Sequence, residues 1–120
     1  MSISNYAETA LLDTLAGTSF SVANVYAQLH TASPSEDGTA NVAGESSRQA
    51  VTFGSASGGQ IVTTAATTWT NVSTDETLTH FSLWDAASAG NCLWYGALSS
   101  SATVAAGDTF QITTLTLTLD

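Results

Sequence analysis

The side chains that could hold a metal ion are few and far apart in this sequence. A metal site needs three or four suitable ligands at compatible spacing. The strong nitrogen and sulfur donors are His30, His80 and Cys92, and about fifty residues separate the two histidines. We therefore predict no metal. His30 ends an apolar stretch and is expected at its rim, His80 is expected to be partly buried, and Cys92, beside Leu93 and Trp94, is expected to be a buried structural thiol.

Catalytic motifs are equally weak. Residues 54–58 read GSASG, which does not have the G-x-S-x-G spacing of a nucleophile elbow and is typical of a flexible turn. The acid pairs at 36–37 and 75–76 lie in turn-like sequence, where solvated carboxylates are expected. Residues 58–60 lack the lysine of a phosphate-binding loop. We predict no catalytic residues, no cofactor and no enzymatic activity.

Composition excludes further classes of function. The chain has 120 residues, which predicts a single domain over residues 1–120. Its net charge is −9, and Arg48 is its one basic residue, so neither nucleic acid nor an anionic membrane is an expected partner. No run reaches the roughly 20 apolar residues of a membrane span. The first residues resemble no secretory signal, so synthesis in the cytoplasm is expected.

One short helix is predicted at residues 5–16. Asn5 can cap it, with Glu8 three residues later, and Leu11 and Leu15 then share one face. Gly17 can end the helix in the left-handed conformation. About three turns are too short to be stable alone. The leucine face must therefore dock on the chain's own sheet or on a neighbouring subunit.

Residues 22–120 are predicted to form strands and loops. The strand candidates are residues 22–30, 49–53, 61–69 (one strand or two), 78–85, 92–98 and 109–119. Apolar residues change parity inside the last of them, which predicts a bulge or a bend between sheets. Residues 31–47 form a long polar stretch, expected to be an exposed functional loop or an arm that touches a partner. The fold class is thus mainly β: an antiparallel β-sandwich or jelly-roll-like domain with one short N-terminal helix.

Two features indicate possible contact surfaces. The chain has several large aromatic side chains, which either fill one core or anchor a subunit interface. Arg48, alone among ten acids, is expected to find a carboxylate within the chain or across an interface. The interface candidates are Arg48, Trp84, Trp94, Tyr95, Glu36, Asp37, Leu11 and Leu15.

Several segments stand in order along nearly the whole chain. They read YAQLHTASPSEDG at 26–38, SRQAVTFG at 47–54, THFSLWDA at 79–86, GNCLWYGAL at 90–98 and AGDTF at 106–110. These segments correspond to ALHTA-P, ARQAVTFG, THFGIFDA, GNLLFYGAL and AGDTF of a family of small virion structural proteins of tailed bacteriophages, which the chain therefore resembles. The helical opening at 5–15 also agrees.

The resemblance implies a structural role on the outer surface of a phage particle. The first hypothesis is a capsid decoration or cement protein that binds across major capsid subunits and forms a homo-oligomer such as a trimer. The alternative is a tail or tail-fibre component that contacts tail proteins. A third reading is a host-glycan binding module or hydrolase.

Overall fold

Alternating apolar residues and β-branched threonines favour short strands, and far more of the chain lies in strands than in helix. The computed structural model describes residues 2–119, which contain one helix and nine strands. In chain order these are β1 (Ser2–Ile3), α1 (Asn5–Leu15), β2 (Val25–His30), β3 (Gln49–Val51), β4 (Gln60–Val62), β5 (Thr67–Trp69), β6 (Glu76–Trp84), β7 (Cys92–Val104), β8 (Phe110–Ile112) and β9 (Thr116–Thr118). The predicted fold class, mainly β and antiparallel with one N-terminal helix, is confirmed.

Five of the strands form the main sheet, in the order β1-β7-β6-β2-β3. Every neighbouring pair in it is antiparallel. Leu29 of β2 lies opposite Phe81 of β6, and Leu83 of β6 lies opposite Trp94 of β7. Because these cross-strand pairs are buried, the register of the central strands is fixed by apolar contact.

Two antiparallel ribbons, β4–β9 and β5–β8, share a hydrophobic core with the main sheet. The buried members of that core are Ala27, Leu29, Ala43, Val51, Trp69, Val72, Leu78, Phe81, Leu83, Trp94, Val104, Leu115 and Leu117. The stretch predicted as one strand at 109–119 is divided between the ribbons, with residues 113–115 outside both strands. The parity change therefore marks a bend between sheets, as predicted.

The last strand of the central hairpin is longer than predicted. β7 reaches Val104 rather than ending near Leu98. His80 lies opposite Ala97, whereas Leu78 lies opposite Ala102, so residues 98–101 of β7 bulge against a single residue of β6. The extension escapes sequence reasoning because three consecutive serines lack the apolar alternation that indicates a strand.

The long loop at 31–47 packs against its own domain instead of extending as an arm. Its backbone continues the edge of β2, since the Thr31 amide donates to the Asn41 carbonyl at 3.0 Å and the Ala43 amide donates to Leu29 at 3.0 Å. Gly38 lies directly against the ring of Trp84. Several of its polar side chains are exposed, as the exposed-loop alternative requires, and contact of this loop with a partner stays a prediction.

Candidate assembly surface

The N-cap of helix α1 lies one residue earlier in the chain than predicted. Ser4, not Asn5, is the N-cap, and its hydroxyl accepts a hydrogen bond from the Ala7 amide at 3.1 Å. Ser4 also donates through its backbone amide to the Leu93 carbonyl at 3.0 Å, so the cap ties the helix to β7. Gly17 has φ of +99° and follows the last turn, which confirms its predicted left-handed conformation.

The helix leaves its leucines largely uncovered. Ala7 is the buried residue of α1, whereas Leu11 is 37% exposed, Leu12 66% and Leu15 86%. Single exposed leucines are common on protein surfaces, but neighbouring ones mark contact sites. The chain's own sheet therefore does not cover the face that was predicted to need a partner.

An apolar cavity of about 370 Å³ opens beside α1 and is lined by Leu11. It lies between α1, the main sheet and the β4–β9 ribbon, and none of its lining residues is charged. The lining residues are Ile3, Ala7, Leu11, Phe20, Val22, Val25, Phe53, Ala56, Gly59, Gln60, Ile61, Leu83, Leu93, Trp94, Leu117 and Leu119. Leu119 is also half exposed, at 51%. We call Leu11, Leu12, Leu15, Leu119 and this cavity the leucine face.

Trp94 is one of the predicted interface residues that the structure brings to this face. It lines the cavity and is 8% exposed. Its indole Nε1 is buried and has no hydrogen-bond partner within residues 2–119. A buried donor without an acceptor is unfavourable by roughly 1–3 kcal/mol.

Arg48 and Trp84 lie elsewhere and are engaged inside the chain. The Arg48 guanidinium stacks on the Trp84 ring at 3.9 Å and donates to the carbonyls of Ala86 at 2.8 Å and Ala89 at 2.7 Å. Its Nε donates to Gln28 at 3.4 Å. None of these partners is a carboxylate, so the predicted ion pair is not made within the described chain. The observed contacts anchor the turn after β6.

Tyr95, Glu36 and Asp37 form a separate polar group near the long loop. The Tyr95 hydroxyl donates to Glu36 at 2.8 Å. Asp37 accepts from the Thr39 amide at 3.1 Å and hydroxyl at 2.8 Å, and these bonds hold the pKa of its carboxyl below the usual value. The predicted interface residues are thus divided between the leucine face and this other group.

A serine and a histidine lie within hydrogen-bond distance, a pairing that sequence spacing did not reveal. His30 Nε2 is 2.7 Å from the Ser82 hydroxyl, and its Nδ1 donates to the Ala40 carbonyl at 2.9 Å. Both side chains are completely buried, and the Trp84 indole donates to the same hydroxyl at 2.7 Å. Nucleophile and base are adjacent, yet no substrate can reach them in this packing, so the pair acts as a buried polar network.

Other potential chemistry is similarly enclosed or absent from the described chain. Cys92 is buried, as predicted, and desolvation raises the pKa of its thiol to about 11. Residues 2–119 contain no group of three metal-ligating side chains. No helix in the same part of the chain is long and apolar enough to cross a membrane.

Comparison with known proteins agrees with the resemblance drawn from the segments. A family model described as podophage GP4 fiber I protein gp80 matches residues 2–120. Among curated proteins, none matches the chain. Since the match spans almost every residue, the chain belongs to the podophage GP4 fiber I protein gp80 family of small tailed-phage virion structural proteins.

Proposed function

We propose that this chain is a building subunit of a fibre-like appendage on the outside of the phage particle, acting through buried contact area and not through catalysis. The family's fibre description supports an appendage. The observation that carries the proposal is the leucine face, where exposed leucines border an apolar cavity without a charged lining residue.

The leucine face can stabilise an assembly substantially. Burying one leucine side chain is worth about 1.5–3 kcal/mol, so covering Leu12 and Leu15 together gives roughly 3–6 kcal/mol before the costs of association. The cavity is more than twice the roughly 150 Å³ of an engineered hole that binds benzene. It can therefore accept apolar side chains from a neighbour.

The occupant we propose is a second copy of this chain, in a homo-oligomer such as a trimer. The leucine face presents both apolar protrusions, Leu12 and Leu15, and a cavity that matches them in chemistry. Each copy carries a net charge of −9, so copies repel except where acids are absent. The cavity lining, which has no charged residue, is such a place.

Capsid decoration remains the second candidate, with the major capsid protein as partner. Its support is the small size and the strongly acidic composition, because an acidic protein suits the outside of a particle filled with DNA. Both candidates require contact area and no reactive centre. They differ in where the chain is located on the particle.

Sedimentation equilibrium of the double variant Leu12→Gln/Leu15→Gln tests the role of the leucine face. Glutamine keeps the helix propensity close to that of leucine, so α1 should persist. We expect the variant to associate at least tenfold more weakly than the wild type, by roughly 1.4 kcal/mol or more.

The matched control is Val42→Gln, an exposed apolar side chain on the long loop, which should associate like the wild type. An unchanged oligomer in the double variant would overturn the assignment of the leucine face. A wild-type chain that stays monomeric at every concentration would overturn the second copy as its occupant.

A further inference from the structure

The outer edge of β7 is a second unpartnered surface, distinct from the leucine face. In the main sheet β7 is flanked on one side by β6 over its whole length and on the other by β1. The described residues of β1 pair with Trp94 and Tyr95 alone. From residue 97 to residue 104, no strand within 2–119 pairs with this outer edge, and we call this stretch the β7 edge.

The β7 edge lacks the charges and prolines by which many proteins block strand pairing, and a bulge is the one such feature it carries. Natural edges carry lysine, inward-pointing charges, proline or bulges. The thirteen residues of β7 include no charged residue and no proline, and most side chains from 97 to 103 are small and exposed. The bulge at 98–101 bends the strand without covering it.

A groove of about 630 Å³ lies along residues 97–102 of β7, and its lining combines apolar side chains with serines and threonines. The groove lies between the β7 edge and residues 110–116 of the β8–β9 segment. Phe110, Ile112 and Leu98 line it and are half-buried. An occupant must therefore satisfy backbone hydrogen bonds on β7 and cover apolar side chains in the groove, as an added strand does.

We propose that the β7 edge pairs antiparallel with the β7 edge of a second copy, around a two-fold axis. In this arrangement no acid meets another acid across the ladder, because both edges are uncharged. Strands of the partner on either side of the bulge supply the missing hydrogen bonds, and its side chains cover Phe110 and Ile112.

This inference goes beyond the proposed function, although it rests on the same premise that copies assemble. A two-fold contact at one surface closes a pair of molecules. A two-fold contact at the β7 edge therefore joins the oligomers formed at the leucine face to one another. Growth beyond one closed oligomer is what a fibre-like appendage requires.

The test uses the full chain in the Leu12→Gln/Leu15→Gln background, where the leucine face is disabled. Sedimentation equilibrium should then show a dimer, and hydrogen exchange at residues 97–104 should slow about tenfold or more as the concentration rises. Adding Ser101→Lys places a charge on the β7 edge and should convert this dimer to a monomer.

Ser88→Lys is the matched control, since Ser88 is exposed, lies in the turn after β6 and changes the net charge equally. It should leave the dimer intact. A monomeric Leu12→Gln/Leu15→Gln variant, or equal exchange at 97–104 in monomer and dimer, would overturn the proposal. Protection that appears after addition of another virion protein but never with this chain alone would also overturn it.

The two surfaces fail independently in this design. If Ser101→Lys abolishes association while Leu12→Gln/Leu15→Gln has no effect, the β7 edge is upheld and the leucine face is rejected. If Leu12→Gln/Leu15→Gln dissociates the oligomer while Ser101→Lys has no effect, the leucine face is upheld and the β7 edge is rejected.

Discussion

Cys92 illustrates how burial decides what a reactive side chain can do. Apolar neighbours in the sequence predicted a structural thiol, and the structure buries it beneath Gly38 and Trp84. Because desolvation raises its pKa from 9.0 to about 11, the thiolate is about one hundredfold scarcer than in the unfolded chain near pH 8.

We therefore expect Cys92 to react slowly with a thiol reagent in the native protein. The reaction followed by absorbance at about pH 8 should accelerate at least one hundredfold when urea unfolds the chain. A native rate similar to the unfolded rate would show that the thiol is accessible and would contradict this packing.

His30 adds a pH dependence to the stability of the fold. Burial lowers its pKa below the usual 6.5. As the pH falls through 6.5, the unfolded chain binds a proton that the folded chain resists, so the free energy of unfolding decreases. Above 6.5 both states are neutral, and the contribution is fully present.

Urea unfolding at about pH 7.5 and about pH 5.5 should show this loss in the wild type and a smaller loss in His30→Gln. The variant should also be about 1–3 kcal/mol less stable at the higher pH, because the Ser82 and Ala40 partners lose a buried imidazole. Ser88→Gln, at an exposed position in the turn after β6, is the control and should keep the wild-type pH dependence. Equal pH dependence in the wild type and His30→Gln would contradict the role of His30.

Residue types alone could not identify the partners of Arg48. One cation among ten acids suggested an ion pair, whereas the guanidinium takes two backbone carbonyls and the face of Trp84. Every residue has a backbone carbonyl, so residue types do not indicate which carbonyls will accept hydrogen bonds from Arg48. Only the turn geometry at 85–91 brings those oxygens together.

At the scale of elements, the loop at 31–47 shows where sequence patterns stop being informative. Its polarity predicted an exposed loop or an arm that touches a partner, but not the close contact that one glycine of this loop makes with the domain. Gly38 has φ of +73°, and a Cβ built there would lie 2.7 Å from Cζ2 of Trp84 and 2.8 Å from Sγ of Cys92. In the sequence, a glycine that allows such a close backbone approach looks the same as any glycine in a turn.

Gly38→Ala should therefore destabilise the protein by about 2–5 kcal/mol, combining left-handed strain with overpacking. The matched variant Gly17→Ala has similar strain, with φ of +99°, but nothing within 4 Å of its added Cβ. It should cost about 1–2 kcal/mol. Urea denaturation compares the two, and equal losses would show that the loop does not pack on Trp84.

Most strands were predictable because apolar and polar residues alternate along them. The strand predicted at 78–85 is β6, and its residues Phe81, Ser82, Leu83 and Trp84 are all buried. β1 was missed, because two residues carry no periodicity. The cap was placed one residue late, because Ser4 and Asn5 are both good caps and the contact of Ser4 with β7 decides between them.

At the scale of the whole molecule, charge controls how copies meet. Each chain carries −9, so association through uncharged surfaces works against long-range repulsion. Screening shortens that repulsion as salt increases. Self-association should therefore become tighter when the salt concentration rises from about 20 mM to about 300 mM.

Sedimentation equilibrium at the two salt concentrations measures this effect. Weaker self-association at high salt would contradict assembly through the leucine face and the β7 edge, because it would indicate ion pairs between copies. Binding to a basic virion protein would also weaken with salt, so the sign of the effect separates the two kinds of partner.

The central claim is that this chain contributes contact area to a phage appendage. Cryo-electron microscopy of the mature particle tests it most directly, using a tag at Ser88, which lies away from both surfaces. We expect the tag in a fibre-like appendage, with copies meeting through the leucine face. Particles that lack the chain, or that carry it as isolated copies contacting no neighbour, would contradict the account.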